Sequence, residues 1–193
     1  MGKVETAKKE FLTKYNPSKT INEALSKAIS ASVQHNSLYK SGLNYEKKKR
    51  FRKDWEIWLK NKSTEYKYDV TLEDFKKDFQ ELVAYMNQNY SNYFRTEVHP
   101  RFNYDPGFRI SHGQKSLSVF LKHLWSMNKI KEPPACPVDR IVLQRLGKTG
   151  ADAKWTHVNS INLYNKQLGY IESAALESGL TIAQFEILLF KDS

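Results

Sequence analysis

The chain has 193 residues and one cysteine, Cys136, which is long enough for one large domain or two small ones. A single cysteine excludes an internal disulfide framework and any zinc or iron–sulfur site built from several cysteines. The 31 Lys and Arg residues against 21 Asp and Glu give a net charge of +10, which favours a polyanionic partner because basic surfaces displace counterions from phosphates.

The positive charge is concentrated in the N-terminal third of the chain. Residues 1–60 carry 14 Lys and Arg against 6 Asp and Glu, a difference of +8, whereas residues 61–193 carry 17 against 15, a difference of +2. The first residues lack the apolar stretch of a secretion signal, and no run of about 18 apolar residues occurs in the sequence. We therefore expect a cytoplasmic protein that does not span a membrane.

Apolar spacing and capping residues predict helices along almost the whole chain. Thr20, Thr71 and Thr181 are expected N-caps, while Pro17 and Gly42 end the first two helices. The segment between the fourth and fifth helices, 91–110, is expected to be a long irregular connection, and such loops often carry function. The expected helices cover residues 5–15, 20–41, 45–59, 72–90, 113–127, 139–146, 158–178 and 182–190.

These elements predict an all-α, helical bundle-like fold. We expect a basic N-terminal helical region, 1–66, and a helical core domain, 67–193. Phe51, Trp55 and Trp58 recur at spacings of three and four, so they are expected in the core rather than stacked on nucleic-acid bases.

Two short segments contain the residues that most strongly indicate a catalytic site. In Ile110-Ser111-His112-Gly113-Gln114-Lys115-Ser116, a lysine follows a glycine by two residues at an expected helix start. In Val138-Asp139-Arg140-Ile141-Val142, followed by Arg145-Leu146-Gly147, an aspartate stands at the next expected helix start. These segments resemble the signature of the helix-hairpin-helix DNA glycosylase superfamily, in which L-P-G-V-G-x-K-[TS]-A opens a helix and V-D-T-H-V leads on to R-L-G.

The resemblance implies a glycosylase-like helical core with a lysine and an aspartate as its catalytic pair. Lys115 would be the amine that attacks C1′ of the sugar, and Asp139 would activate it and stabilise positive charge on the sugar. The resemblance also implies phosphate contacts around the hairpin, from Arg109, His112, Gln114 and Lys148. The sequence departs from the signature where Ser111 replaces the first hairpin glycine and where His112 replaces an apolar residue.

The same residues also have a purely structural interpretation. Apolar residues from Leu117 to Trp125 recur at helical spacing, so Lys115 and Lys122 would be solvated on the outer side of their helix. Asp139 would then be an ordinary helix N-cap.

The segment Lys47-Lys48-Lys49-Arg50-Phe51-Arg52-Lys53 is the strongest electrostatic feature. We predict that Lys47, Lys48, Arg50 and Lys53 bind phosphates, because several cations on one helix neutralise several phosphates together. A solvated helical face is the alternative.

Neither a metal nor a cofactor is predicted. The five histidines include no pair spaced four apart and lack the carboxylate spacing of a metal-binding helix. Gly147-Lys148-Thr149 is similar to the end of a phosphate-binding loop, but Val142 stands where that loop needs a glycine, which argues against nucleotide hydrolysis.

We therefore expect a DNA-binding protein with base-excision glycosylase and lyase activity at Lys115 and Asp139. One alternative is a non-catalytic module of a mobile-element, defence or anti-defence system, whose helix 45–59 docks nucleic acid or an acidic partner protein. Another is a protein-interaction domain that uses residues 91–110 as its contact surface.

Overall fold

The structure is a computed structural model that describes residues 2–99 and 105–191. Within these residues the regular structure is helical, apart from one isolated β-bridge between Tyr39 and Phe94, which confirms the all-α, bundle-like prediction. The α-helices are α1 (Lys3–Tyr15), α2 (Ile21–Val33), α3 (Tyr45–Lys62), α4 (Leu72–Tyr90), α5 (Ile110–Ser126), α6 (Arg140–Arg145), α7 (Ile161–Glu177) and α8 (Ile182–Lys191).

Local sequence signals start most of these helices. The side chains of five N-cap residues each accept a hydrogen bond from the backbone N–H three residues later, and these caps begin α2, α3, α4, α6 and α7. Each cap satisfies an N–H group that has no partner in the first helical turn. The capping residues are Thr20, Asn44, Thr71, Asp139 and Ser160.

Helix α5 runs through the centre of the fold. All of its residues except Val119 are buried, because α1, α2, α3, α4 and α7 all pack against it. A helix enclosed in this way must satisfy its polar side chains inside the protein, since they cannot reach water. The polar residues of α5 therefore determine much of the internal architecture.

Two clusters of buried apolar side chains form the interior. The larger cluster draws on α2 to α7, and the smaller one joins α1 and α8 to the end of α5 through Phe11, Leu12, Trp125 and Ile187. Residues on both sides of position 66 thus share the larger cluster. The division into 1–66 and 67–193 stays a prediction about domain organisation.

The aromatic residues of α3 lie in this interior, as expected. Phe51 and Trp55 are fully buried, and Trp58 is half-buried against the larger cluster. The indole N–H of Trp55 donates to Ser116 Oγ on α5 at 3.1 Å, so this tryptophan also links the two helices.

The start of α5 differs from the prediction. The helix begins at Ile110, so Lys115 lies in its second turn rather than at its N-terminus. The backbone N–H of Arg109 donates to Nδ1 of His112 at 3.1 Å, and the N–H of Ser111 donates to the carbonyl of Val158 at 2.9 Å. These bonds satisfy backbone donors at the N-terminus and allow the helix to start before Gly113.

The hairpin implied by the resemblance is not formed before Lys115. Gly113 lies inside α5, and the described residues that precede this helix, 105–109, are not helical. The glycosylase-like core is therefore not confirmed by this fold.

Helix α2 is shorter than expected. It ends at Val33 because Gln34 is extended and His35 has a left-handed φ of 56°, well before Gly42. None of the helices in the described part of the chain combines the length and the apolar character needed to cross a bilayer.

Candidate functional site

Lys115 and Asp139 form an ion pair. The Nζ atom of Lys115 lies 2.6 Å from Oδ2 of Asp139, and the two side chains are only 7% and 14% exposed. Lys115 comes from α5, and Asp139 is the residue that precedes α6. The structure thus brings together the two residues that the sequence singled out as a catalytic pair.

Asp139 is held by the helix that it caps and by its neighbour in the chain. Its second oxygen, Oδ1, accepts a hydrogen bond of 3.0 Å from the backbone N–H of Val142. The side chain of Gln114 on α5 donates to the carbonyl of Val138 at 3.1 Å and accepts from its N–H at 3.4 Å. Gln114 therefore fixes the backbone next to Asp139 against α5, a role that the sequence did not indicate.

An aromatic ring borders the lysine. Trp155 lies in a short 3-10 helix, Trp155–His157, and the centre of its ring is 5.4 Å from Nζ of Lys115. A cation at this distance is attracted by the negative face of an aromatic ring. Trp155 and Asp139 together define where the amine lies.

The carboxyl of Asp139 is held in its ionised form. Burial opposes ionisation, but the charge and hydrogen bond of Lys115 and the N–H of Val142 outweigh it, so the pKa of Asp139 is lowered. Asp139 therefore faces the lysine amine as a carboxylate.

A second ion pair lies on the same helix. Lys122 Nζ is 2.8 Å from Oε2 of Glu186 on α8, and these side chains are 6% and 2% exposed. The structural alternative predicted that Lys115 and Lys122 are solvated, and this is wrong because both lysines are buried beside carboxylates. Burial raises the pKa of Glu186, and Lys122 opposes this effect.

Three of the predicted phosphate contacts lie inside the protein. Arg109 donates to the side chain of Asn36 and to the carbonyl of Asp105, and both ring nitrogens of His112 have backbone partners. The side chain of Gln114 is hydrogen-bonded to the backbone of Val138. Contact with a surface phosphate would require all three residues to leave these partners, so their phosphate contact stays a prediction.

The predicted phosphate contacts on α3 are mostly at the surface. Lys47, Arg50 and Lys53 are exposed, whereas Lys48 is half-buried with its amine 5.6 Å from the ring centre of Tyr39. Lys148, predicted near the hairpin, is half-buried, with its amine 4.2 Å from the ring centre of Tyr170.

The last two predictions concern a metal site and the loop 91–110. Within 2–99 and 105–191, no three His, Cys, Asp or Glu side chains come together in a way that could hold a metal ion. The predicted contact loop, 91–110, is described only in part, because residues 100–104 lie outside the described residues.

Comparisons of the chain with protein-family models, with curated proteins and with solved structures found no match.

Proposed function

We propose that this protein binds DNA and excises a base at the Lys115–Asp139 pair. One observation carries the proposal: two residues 24 positions apart, chosen from a sequence pattern, have an amine and a carboxylate 2.6 Å apart. A glycosylase of this type needs an amine and a carboxylate that address the same sugar. The pair supplies both groups.

The chemistry begins with a proton transfer inside the pair. A proton moves from Nζ of Lys115 to the carboxylate of Asp139, which frees the amine as a nucleophile. The amine attacks C1′, the bond from C1′ to the base breaks, and its electron pair leaves with the base. Asp139 then returns the proton to the departing base.

A covalent intermediate follows from this step. The nitrogen of Lys115 now bears two protons and is bonded to C1′. One of these protons passes to the ring oxygen O4′ as the bond from C1′ to O4′ opens, and this leaves an iminium between Lys115 and the sugar. Elimination of the 3′ phosphate from that intermediate would break the strand.

The burial of the pair determines the form of the substrate. A base within a stacked duplex cannot reach side chains that are so largely covered, so the nucleotide must be flipped out of the helix, at a cost of a few kcal/mol. The ring centre of Trp155 lies 5.4 Å from the amine, and a flipped base can stack on an aromatic ring.

The charge of the protein supports a DNA partner. Helix α3 presents the exposed cations Lys47, Arg50 and Lys53, within the third of the chain that carries a charge of +8. Cations arranged along a helix can follow a phosphate backbone without reading its sequence. In this proposal α3 supplies affinity, and the Lys115–Asp139 pair supplies the chemistry.

The test is borohydride trapping on duplexes that each contain one damaged or mismatched base. The native protein should give a covalent adduct and base release. Lys115→Arg keeps a cation beside Asp139 but cannot form an imine, because the guanidinium stays protonated; it should fold and give no adduct, as should Lys115→Gln. Asp139→Asn should slow excision by about 100-fold or more.

A matched control lies at the surface. Lys131 and Asp69 form an exposed pair with the same 2.6 Å separation, so Lys131→Arg and Asp69→Asn should leave trapping unchanged. Base release that survives in Lys115→Arg and Lys115→Gln would rule out the lysine mechanism.

A second function is favoured by a different observation. Lys115 and Asp139 are as closely paired as Lys122 and Glu186, so both pairs can serve to hold helices together. The protein would then be a non-catalytic module whose α3 docks nucleic acid or an acidic protein. Salt-sensitive DNA binding without base release or adduct from any substrate would select this function.

A further inference from the structure

One side of α3 combines an exposed aromatic ring with exposed lysines. Successive residues of a helix are rotated by about 100° around its axis, so three exposed lysines of α3 lie within about 80° of Tyr45, which is itself 73% exposed. We call this surface the lysine stripe, and it consists of Tyr45, Lys49, Lys53 and Lys60. At about 1.5 Å per residue, the stripe extends for about 22 Å along the helix.

The stripe faces solvent because the opposite side of α3 belongs to the core. Phe51, Trp55 and Leu59 are fully buried, and the helical rotation places them on the side of the axis away from the stripe. The lysines therefore project outward from a helix that is held firmly in the fold. A ligand can approach them without any rearrangement of the core.

Most of the positive charge of the stripe can be offered to a ligand. Within the described part of the chain, Lys49 and Lys60 form no ion pair. The side chain of Lys53 is 69% exposed and lies 3.6 Å from a carboxylate oxygen of Glu56. Exposed pairs of this kind contribute little to stability, so a phosphate can replace the carboxylate beside Lys53.

The cations of α3 are distributed unevenly around the helix. The other flank carries the exposed Lys47 and Arg50 near its start, but Asp54 and Asn61 stand one and two heptads after Lys47 on that flank. Asp54 is half-buried and accepts a hydrogen bond from the hydroxyl of Tyr90. A helix in the major groove of a duplex lies between two phosphate backbones, whereas the lysine stripe provides a continuous row of cations for only one.

The exposed ring favours an unpaired strand. Proteins that hold single strands combine a cationic track with aromatic rings on which bases stack. In a duplex the faces of each base are covered by the neighbouring base pairs, so Tyr45 would meet only the backbone or the edges of bases. A single strand offers both the phosphates for the lysines and a base face for the ring.

We propose that the lysine stripe binds single-stranded DNA, with one base stacked on Tyr45 and the adjoining phosphates along its three lysines. The proposal rests on the proposed function only in taking DNA as the partner, and it requires no base excision. It adds the strand state of the DNA and the contact residues Tyr45, Lys49 and Lys60, which the predicted phosphate contacts on α3 do not include. Duplex DNA also meets Lys47 and Arg50 on the other flank.

The first experiment tests the aromatic ring by fluorescence anisotropy at low salt, with a labelled oligothymidylate and a labelled duplex of equal length. Tyr45→Ala should weaken binding of the single strand by about tenfold and leave duplex binding nearly unchanged. Tyr45→Phe keeps the ring and should bind as the native protein does. Tyr68→Ala is the control, because Tyr68 is 74% exposed and lies outside α3. A native affinity in Tyr45→Ala, or an equal loss in Tyr68→Ala, would overturn the proposal.

The second experiment compares two double variants that remove the same charge from the same helix. Lys49→Ala with Lys60→Ala should weaken binding of the single strand and reduce the slope of log affinity against log salt by about 1.4, at about 0.7 for each lost phosphate contact. Lys47→Ala with Arg50→Ala should act mainly on the duplex. The reverse order of the two variants on the single strand would contradict a one-sided stripe.

The third experiment predicts a gain of affinity, which misfolding cannot produce. Glu56 lies on the same side of α3 as the stripe, so Glu56→Gln removes a repulsive charge, releases Lys53 and should tighten binding of the single strand by about two- to fivefold. Glu73→Gln is the control, because it breaks the comparable pair with Lys76 on α4, where the two atoms are 2.7 Å apart; it should leave binding unchanged. An unchanged or weaker affinity in Glu56→Gln would place the strand elsewhere on the protein.

The outcomes distinguish this proposal from the proposed function. Binding of the duplex without binding of the oligothymidylate would overturn the stripe and leave the proposed function standing. Failure to bind either DNA would remove DNA binding from both. Polyglutamate that displaces the labelled single strand as well as an unlabelled single strand does would identify a surface for acidic proteins, and this would also overturn the proposal.

Discussion

A Cβ atom on Gly113 would lie 2.9 Å from the backbone carbonyl oxygen of Phe79, which is closer than side-chain carbons approach such atoms. It would also lie 2.9 Å from a methyl carbon of Val83. Both neighbours belong to α4, so the glycine allows α4 and α5 to pack tightly at this point. The sequence pattern placed Gly113 at the start of a helix, whereas in the fold it lies inside α5 and allows close helix packing.

We expect Gly113→Ala to destabilise the protein by about 1–3 kcal/mol, because the added methyl group must push α4 away from α5. Gly169, inside α7, is the matched control, since a Cβ there meets no atom within 4 Å. Gly169→Ala should stabilise the protein by about 0.5–1 kcal/mol. Urea denaturation of both variants measures the difference, and equal effects would contradict the close packing at Gly113.

The buried histidines make stability depend on pH. Burial and the charges of nearby cations lower the pKa of His123 to about 3, and burial with the charge of Arg109 lowers that of His112. Below pH 6.5 the unfolded chain binds protons that these folded histidines resist. The contribution of these histidines to the free energy of unfolding should therefore be constant above that pH and fall by up to about 1.4 kcal/mol per pH unit for each histidine below it.

Urea denaturation at pH 7.5, 6.5, 5.5 and 5.0 measures this loss. His123→Phe keeps an aromatic ring beside Phe11, whose ring centre is 4.7 Å away, and should remove part of the pH dependence. His35→Gln, at an exposed position, should leave it as in the native protein. A flat profile from pH 7.5 to 5.0 in the native protein would argue against neutral buried histidines.

Gln114 should be the most sensitive of the neutral polar residues around the site. Gln114→Leu keeps the volume but leaves the buried N–H and carbonyl of Val138 without their partner. We expect a loss of about 1–3 kcal/mol. The control is Gln80→Leu on the exposed face of α4, where the amide bonds only to a carbonyl of its own helix; it should change stability by less than about 0.5 kcal/mol.

Local signals explain why most helix starts could be predicted. Thr20, Thr71 and Thr181 each bond the backbone N–H three residues later, and this geometry depends on neighbouring residues alone. The start of α5 could not be predicted in this way. It depends on the bond from Ser111 to Val158, far away in the sequence, and on a histidine acting as the acceptor for a backbone N–H.

The candidate site was found only in part for a similar reason. Lys115 and Asp139 stand out because each belongs to a recognisable short pattern. Glu186 belongs to no such pattern, and neither does the contact between Gln114 and Val138. Both contacts matter because α5 is covered on every side, so its polar side chains need partners inside the protein. Periodicity assigned Lys122 to a solvated side, since it assumes that a helix has an outer face, and α5 has none.

The exposed cations of α3 should account for the salt dependence of DNA binding. Replacing Lys47, Arg50 and Lys53 with alanine should weaken binding and reduce the slope of log affinity against log salt by about 0.9 for each phosphate that is no longer neutralised. The control replaces the exposed lysines Lys67, Lys77 and Lys131, which lowers the net charge by the same amount outside α3. Fluorescence anisotropy with a labelled duplex from 50 to 300 mM salt measures both slopes. Equal slopes for the two triple variants would mean that α3 is not the DNA-binding surface and that the net charge of the protein alone attracts the DNA.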